Sequence, residues 1–435
     1  MKVAVIGAGW SGLSAAVEIT RAGHQVSIYE ASRTLGGRSR ALPSNLPDGT
    51  PVMLDNGQHI LIGAYRASLN LLRRVGVDPD SSLLRLPLTL KFPDQQGIQL
   101  PPWAPPWNVL AGMATARGWS WRDKASLLRQ AIRWQLISFR CPAPTTVEQL
   151  CQGLSPTVMT ELIAPLCLSA LNTPVAVASA QVFLRVLHDA LFSPRGGSDL
   201  LLPRVDLTAL FPKAAAAWLG EQGARLQLGQ RVEELHSVGP QWLLQGELFD
   251  AVVTATPATD AARLIRHGAD SNTGTVSHAM QQWAQATEAL QFEAITTVYA
   301  WAPEAQLSRP LLALRSSPTE PAQFVFDRGQ LGGPAGLLAF VISASQGERE
   351  ALQAQVLAQA RTQLGLQMQP VQTVVEKRAT FACTAPLHRP QQPIAPGLWA
   401  CGDYVASPYP ATIEGAVRSA LEVAQAIGQG PAQTA

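Results

Sequence analysis

The sequence predicts an α/β protein whose first unit is a strand, a glycine-rich turn, a helix and a second strand. Residues 2–6 (KVAVI) are a short, largely β-branched run bounded by glycine, which reads as a buried parallel strand. The turn Gly7-Ala8-Gly9-Trp10-Ser11-Gly12 follows, and LSAAVEITRAG then reads as a helix ending at Gly23. Gln25 to Tyr29 is the second strand, with Glu30 at its end. In this context Gly7 permits the tight turn and Gly9 lets the backbone approach a pyrophosphate. Gly12 lets the helix pack closely on the strand. The helix N-terminus offers unpaired N–H groups to phosphates, and Glu30 is placed to accept from a ribose hydroxyl. The unit therefore points to a dinucleotide.

At about 100–200 residues per domain, 435 residues make two or three domains. Apolar residues are 47% of the chain and charged residues 15%, against about 25% charged in ordinary proteins. This excludes a disordered chain and suggests a large core, or an apolar surface that meets something greasy. Net charge is +2, which gives no electrostatic ground for nucleic acid as a partner. Cys141, Cys151, Cys167, Cys383 and Cys401 are odd in number and widely spaced, so no metal site or disulfide framework is readable. A reducing compartment fits. No signal peptide is readable, and the uncharged stretch Val3–Val17 is 15 residues with three glycines, short of the roughly 20 a membrane span needs. The expected location is cytoplasmic, peripheral at the inner face of the cell membrane.

Further motifs narrow the cofactor. Arg33 and Gly36-Gly37-Arg38 follow Glu30 closely. Leu398 to Asp403 opens like a strand running into a Gly402-Asp403 turn, and Thr412-Ile413 begins a helix. Between them, 224–228, 231–235 and 249–257 look like strands flanking a small β-meander. These motifs, in this order, resemble the flavoprotein superfamily of amine oxidases and phytoene desaturases. The resemblance implies a Rossmann-type FAD-binding domain of the GR2 class, discontinuous over 1–80, 190–260 and 385–435. A substrate domain of mixed sheet and helices, 81–189 and 261–384, would be inserted into it. Its first part reads as helical. The second holds strand-like runs at Ala294–Trp301 and Leu337–Ser343 and a helix over Glu348–Leu364.

The same resemblance implies non-covalent FAD held by Gly7, Gly9, Trp10, Ser11, Gly12, Glu30, Arg33, Gly36, Gly37, Arg38, Asn56, Gly57, Gln58, Val232, Gly402, Asp403, Thr412 and Ile413. In it the Gly-Gly-Arg turn lies against the pyrophosphate and flavin edge, and the backbone of Val232 meets the adenine. Gly402-Asp403 closes over the pyrophosphate and ribityl chain, and the last helix aims its N-terminus at the flavin pyrimidine. No second GxGxxG follows a strand, so no NAD(P)H site is readable. Reducing equivalents must come from the substrate or from an unidentified electron donor.

Asp55-Asn56-Gly57-Gln58-His59, the following Gly63-Ala64-Tyr65 and the ending ATIEGAVRS resemble the hydroxysqualene dehydroxylases, the squalene-associated FAD-dependent desaturases of hopanoid biosynthesis. That resemblance implies a C30 isoprenoid substrate, whose allylic hydroxyl is removed reductively to give squalene. Hydride would pass from reduced flavin N5 to an allylic cation. A polyene desaturase, an amine oxidase and a non-catalytic lipid carrier are the alternatives. The dehydroxylation needs a general acid on the leaving oxygen and exclusion of water. His59 is the first candidate acid, its alternative being a hydrogen bond to backbone or cofactor. Tyr404 and Tyr409 either line the flavin face or simply pack. Asp55 braces the turn.

Five of the eleven tryptophans fall between Trp103 and Trp134, and residues 103–140 carry six basic residues and one acid. From Trp121 to Arg140 the pattern is helical. It aligns Arg122, Arg129, Arg133 and Arg140 beside an apolar stripe of Leu128, Ile132, Leu136 and Phe139. A basic amphipathic helix of this kind suits an anionic membrane surface, and equally an ordinary helix with a solvated arginine face.

Overall fold

Alternation along the strands builds the first layer. A computed structural model describes residues 1–191 and 194–429. Residues 192–193 and 430–435 of the expected nucleotide-binding segments lie outside it. Its main sheet has six strands in the order Arg225–Leu228, Gln25–Glu30, Lys2–Ile6, Ala251–Thr254, Leu398–Ala400 and Pro393–Ala395. The pairings are parallel except at the last edge. Val3, Val5, Ile28 and Val253 face one way, into a core shared with the helices Trp10–Arg21, Pro212–Glu221 and Ile413–Gly428. Ala4, Ile6, Tyr29 and Val252 face the other way, towards Trp242 and Phe249 of a three-stranded meander.

The helices Ala258–Asp270 and Gly274–Glu288 share that second core and cover the sheet. Trp283 ties them to the edge by donating to Gln391 O at 2.7 Å. The sequence reading places 261–384 in the substrate domain, whereas these two helices pack on the nucleotide-binding sheet. The strand expected over 231–235 is absent, and the segment is an irregular link that buries Val232 and Leu235.

The second domain rests on a five-stranded antiparallel sheet in the order Leu311–Ala313, Phe324–Asp327, Leu337–Ser343, Phe292–Trp301 and Gln369–Phe381. One face packs Val298, Phe340 and Ile342 against Leu352 and Val356 of the helix Arg349–Leu364. The other face, with Tyr299, Phe324, Phe326 and Val341, meets Val52 and Leu54 of the hairpin 41–55 and Leu200 and Leu202. Of the part expected to be helical, 81–189, helices fill most of the stretch from Trp107 on, but Leu83–Leu86, Thr89–Lys91 and Gly97–Gln99 are short strands. The helix from Trp121 stops at Leu136, because Ser138 and Phe139 turn into the left-handed region at φ 50° and 54°. Arg140 therefore leaves the arginine row. Phe139 folds back on the core and on His188 rather than joining the exposed stripe.

Candidate functional site

Between the two sheets lies a cavity of about 1620 Å³. That exceeds the roughly 300–1,000 Å³ of a site for one drug-sized ligand, so it has room for two ligands. One end is polar and made of backbone. Gly7 N donates to Tyr29 O at 2.7 Å, and Gly36 N to Ala8 O at 3.0 Å. Gly9 and Gly36 pair as an isolated parallel bridge, which lays the two glycine turns against each other. A Cβ on Gly37 would sit 3.4 Å from Gly9 Cα, and one on Gly12 only 2.0 Å from Gly7 O. Any larger residue at Gly12 would force the helix off the turn.

The helix Trp10–Arg21 starts at Gly9 with no side-chain cap and no acid in its first turn. Its first N–H groups lack intrahelical partners and carry the positive end of the dipole. Trp10 and Ser11 line the cavity there. Glu30 stands at the adjoining strand end. Its Oε2 accepts from Ala8 N at 2.7 Å and its Oε1 from Ser32 N at 2.8 Å.

A second helix N-terminus meets the same cavity. Thr412 caps the helix Ile413–Gly428 by accepting from Gly415 N at 3.1 Å. The acid in its first turn, Glu414, is buried and faces elsewhere. It accepts from Ser68 N at 2.9 Å, Ser68 Oγ at 2.7 Å and Ala67 N at 3.2 Å, and pairs with Arg418 Nε at 2.8 Å. The carboxylate therefore satisfies the start of the helix Arg66–Arg74 and leaves the cavity-side terminus free for a negative group.

Charged groups bridge the two ends of the chain. Arg38 donates to Asp403 Oδ1 at 2.6 Å and to Ala379 O. Burial works against its charge, but Asp403 and then Glu376 outweigh that and hold it more basic than usual. Asn56 donates to Arg38 O at 3.0 Å and to Glu376 Oε2 at 3.1 Å. Arg389 fixes the stretch after Asp403 by donating to Tyr409 O at 2.9 Å and to Ser407 O.

The turn 55–59 is held both from its own domain and from the opposite one. Asp55 Oδ1 accepts from Leu207 N at 2.8 Å, and Arg328 lies 3.5 Å from Oδ2. Arg328 also donates to Gln58 Oε1 at 3.2 Å, Gln58 Nε2 to the Tyr299 hydroxyl at 2.7 Å, and that hydroxyl to Asp55 O at 2.8 Å. Burial outweighs Arg328 and raises Asp55 to about 6. His59 lines the cavity with Nε2 3.4 Å from Ser39 Oγ. Burial, and then Arg38, lower it to about 4, so its imidazole is neutral at pH 7. Tyr404 also lines the cavity. Its hydroxyl is buried, has no hydrogen-bond partner, and is held protonated by desolvation.

Residues 10–428 match the family described as flavin containing amine oxidoreductase. The chain belongs to this family. It is thus a flavin-dependent oxidoreductase. It is 29% identical to the hydroxysqualene dehydroxylase of Rhodopseudomonas palustris, covering 98% of both chains, and 26% identical to that of Sinorhizobium fredii, covering 96% of both. A zeta-carotene desaturase of Synechocystis is 38% identical over 18% of this chain and 15% of its own. Among solved structures, an oxidoreductase of Methanosarcina mazei superposes with TM-score 0.72 at 16% identity, over 98% of this chain and 100% of its own.

Within this flavin-containing fold, most residues singled out in the sequence converge on the one cavity. Gly7, Gly9, Trp10, Ser11, Glu30, Gly36, Gly37, Arg38, Asn56, Gly57, Gln58 and His59 line it. So do Val232, Gly402, Asp403, Tyr404, Thr412 and Ile413. Three do not. Gly12 serves packing between helix and turn. Arg33 is exposed and lies over the Gly229 turn at the sheet edge. Tyr409 borders a separate small cleft, its ring between the guanidiniums of Arg185 and Arg418 and its hydroxyl 2.7 Å from Arg185. The sequence reading missed Tyr65 and Glu376 on the cavity wall, and missed Tyr299 and Arg328 behind it. It also missed the apolar arm of Ile60, Leu168, Ile295, Phe324, Phe326 and Val341. Strand alternation in 324–326 and 337–343 was the available signal for that arm. Among the described residues no group of three or more His, Cys, Asp or Glu is placed to hold a metal.

Proposed function

We infer that this oxidoreductase binds FAD without a covalent link and reductively removes the hydroxyl of hydroxysqualene, giving squalene. One observation carries the reading: likeness to the dehydroxylases runs over 96–98% of the chain, whereas likeness to the desaturase stops at 18%. The cavity supports FAD through its two helix N-termini, its side-chain-free glycine cradle and Glu30. When bound in its reduced form, the flavin supplies a hydride. A separate donor, still unidentified, restores it.

In the reaction, the C–O bond of the allylic alcohol breaks, the oxygen takes a proton and leaves as water, and a C–H bond forms at the same carbon. The apolar arm accommodates isoprenoid and keeps water from the allylic cation. Tyr404 is the best candidate to donate a hydrogen bond to the leaving oxygen, because its hydroxyl lines the cavity without another partner, although burial makes it a weaker acid than a free tyrosine. Neutral His59 is an acceptor that orients a hydroxyl, rather than a cationic acid. Tyr409, outside the cavity, takes no part.

An anaerobic single turnover tests this. The flavin of the purified holoenzyme is reduced with dithionite, excess reductant is removed, and hydroxysqualene is added in detergent. Return of oxidised-flavin absorbance with stoichiometric squalene is expected. Flavin that stays reduced here, together with bleaching of the oxidised protein by phytoene, would make it a desaturase. Bleaching by an amine would make it an amine oxidase.

A further inference from the structure

We propose that the surface formed by residues 103–137 docks on an anionic bilayer, with the helix Trp121–Leu136 lying along the lipid headgroups. The proposal stands on this surface alone and not on the reaction assigned above. The helix is amphipathic in the opposite sense to an ordinary surface helix. Its inward side buries the polar Asp123, Ser126 and Gln130 beside Leu127 and Trp134. Its outward crest, about 80° wide at 3.6 residues per turn, presents Trp121, Ala125, Leu128, Ile132 and Leu136. Trp121 and Leu136 are 82% and 81% exposed. Eight of the fifteen exposed large apolar side chains among the described residues fall between Trp103 and Ile137. Lys124 ties the two helices of this surface together by donating to Ala114 O at 2.7 Å, at the end of the helix Trp107–Thr115. On that helix Trp107 is 66% exposed.

The charge chooses the partner. Arg122, Arg129 and Arg133 flank the apolar crest on one side, all exposed. The one acid between 103 and 140, Asp123, is buried and accepts from Ser120 N at 2.8 Å and Ser120 Oγ at 2.7 Å. Two such faces would repel each other, which disfavours a second copy of the chain. Tryptophan and arginine around an aliphatic crest match the headgroup boundary of an anionic leaflet. No helix among the described residues is long and apolar enough to cross the membrane, so the attachment is to one leaflet.

The test is flotation of the holoenzyme with vesicles of phosphatidylcholine, with or without phosphatidylglycerol. Wild type is expected to partition at least about tenfold more strongly onto the anionic vesicles, and less as salt rises. Arg122→Gln, Arg129→Gln and Arg133→Gln together should weaken partition onto the anionic vesicles by about 10²-fold. Trp121→Ser with Leu136→Gln should weaken partition onto both vesicle types. Unchanged flavin absorbance and far-ultraviolet dichroism show that the variants fold. Equal flotation of wild type on neutral and anionic vesicles, or no flotation, overturns the proposal. So does a concentration-dependent dimer that Leu136→Gln abolishes, which would assign the face to self-association.

Discussion

Replacing Glu30 by alanine probes the polar end of the cavity most directly. The carboxylate is pre-oriented, since each oxygen already accepts one backbone N–H, at 2.7 Å from Ala8 and 2.8 Å from Ser32. An ionised carboxylate has two further acceptor positions, which remain for a ribose diol. A hydrogen bond to a charged acceptor contributes about 1.5–3 kcal/mol. Losing it should raise the Kd for FAD by about 10- to 150-fold. Glu30→Gln keeps one oxygen and should fall between wild type and alanine. The assay is titration of deflavinated protein by quenching of flavin fluorescence, with ADP as competitor. Because the contact is to the adenosine half, ADP should lose affinity by the same factor and FMN by none. A Kd for FAD within twofold of wild type in both variants would refute the assignment.

Four other outcomes are expected. Glu414→Ala leaves two backbone donors and the Ser68 hydroxyl unsatisfied in a buried site, and should cost about 3–5 kcal/mol, read as a lowered denaturant midpoint. Asp55, raised to about 6 in the fold from near 4 when unfolded, binds its proton more tightly in the native state. Its contribution is therefore full below pH 4 and is lost as pH rises to 6, by about 3 kcal/mol. Thermal melts across that range should show this, and Asp55→Asn should flatten the slope. In single turnover, Tyr404→Phe should slow flavin reoxidation by about 10²-fold with FAD content unchanged. Wild type should lack a pH limb near 6.5, because His59 titrates near 4. A limb there that disappears in His59→Gln would restore His59 as the acid.

Local chemistry was the most legible part of this chain. Gly7, with φ 109°, and Gly12, packed on Gly7 O, are required within one strand–helix unit, so their spacing alone places them. The apolar runs at 294–301 and 337–343 likewise read directly as strands. What the sequence could not convey depends on elements far apart in the chain. The helices 258–288 have apolar stripes that fit either core, and only the packing shows which sheet they cover. Arg328 and Tyr299 support the turn 55–59 from 240 or more residues away, with no local pattern to announce it. Tyr404 and Tyr409 look alike in sequence, yet two guanidiniums hold Tyr409 outside the cavity. The helix after Trp121 was legible to its fourth turn. It overran because nothing in Ser138-Phe139 forecasts two consecutive left-handed residues.

The pairing of Arg38 with Asp403, and of Ser11 Oγ with Ala416 O at 3.1 Å, has a consequence during synthesis. The first glycine turn leaves the ribosome 365 residues before its opposite wall is made. At about 5–20 residues per second, the interval between Arg38 and Asp403 is roughly 20–70 seconds. Throughout that time the nascent chain carries half a cradle and a half-covered sheet. Cofactor capture therefore waits until the segment 403–416 has been made. Loss of the helix Ile413–Gly428 should yield a protein that never turns yellow and depends on chaperones.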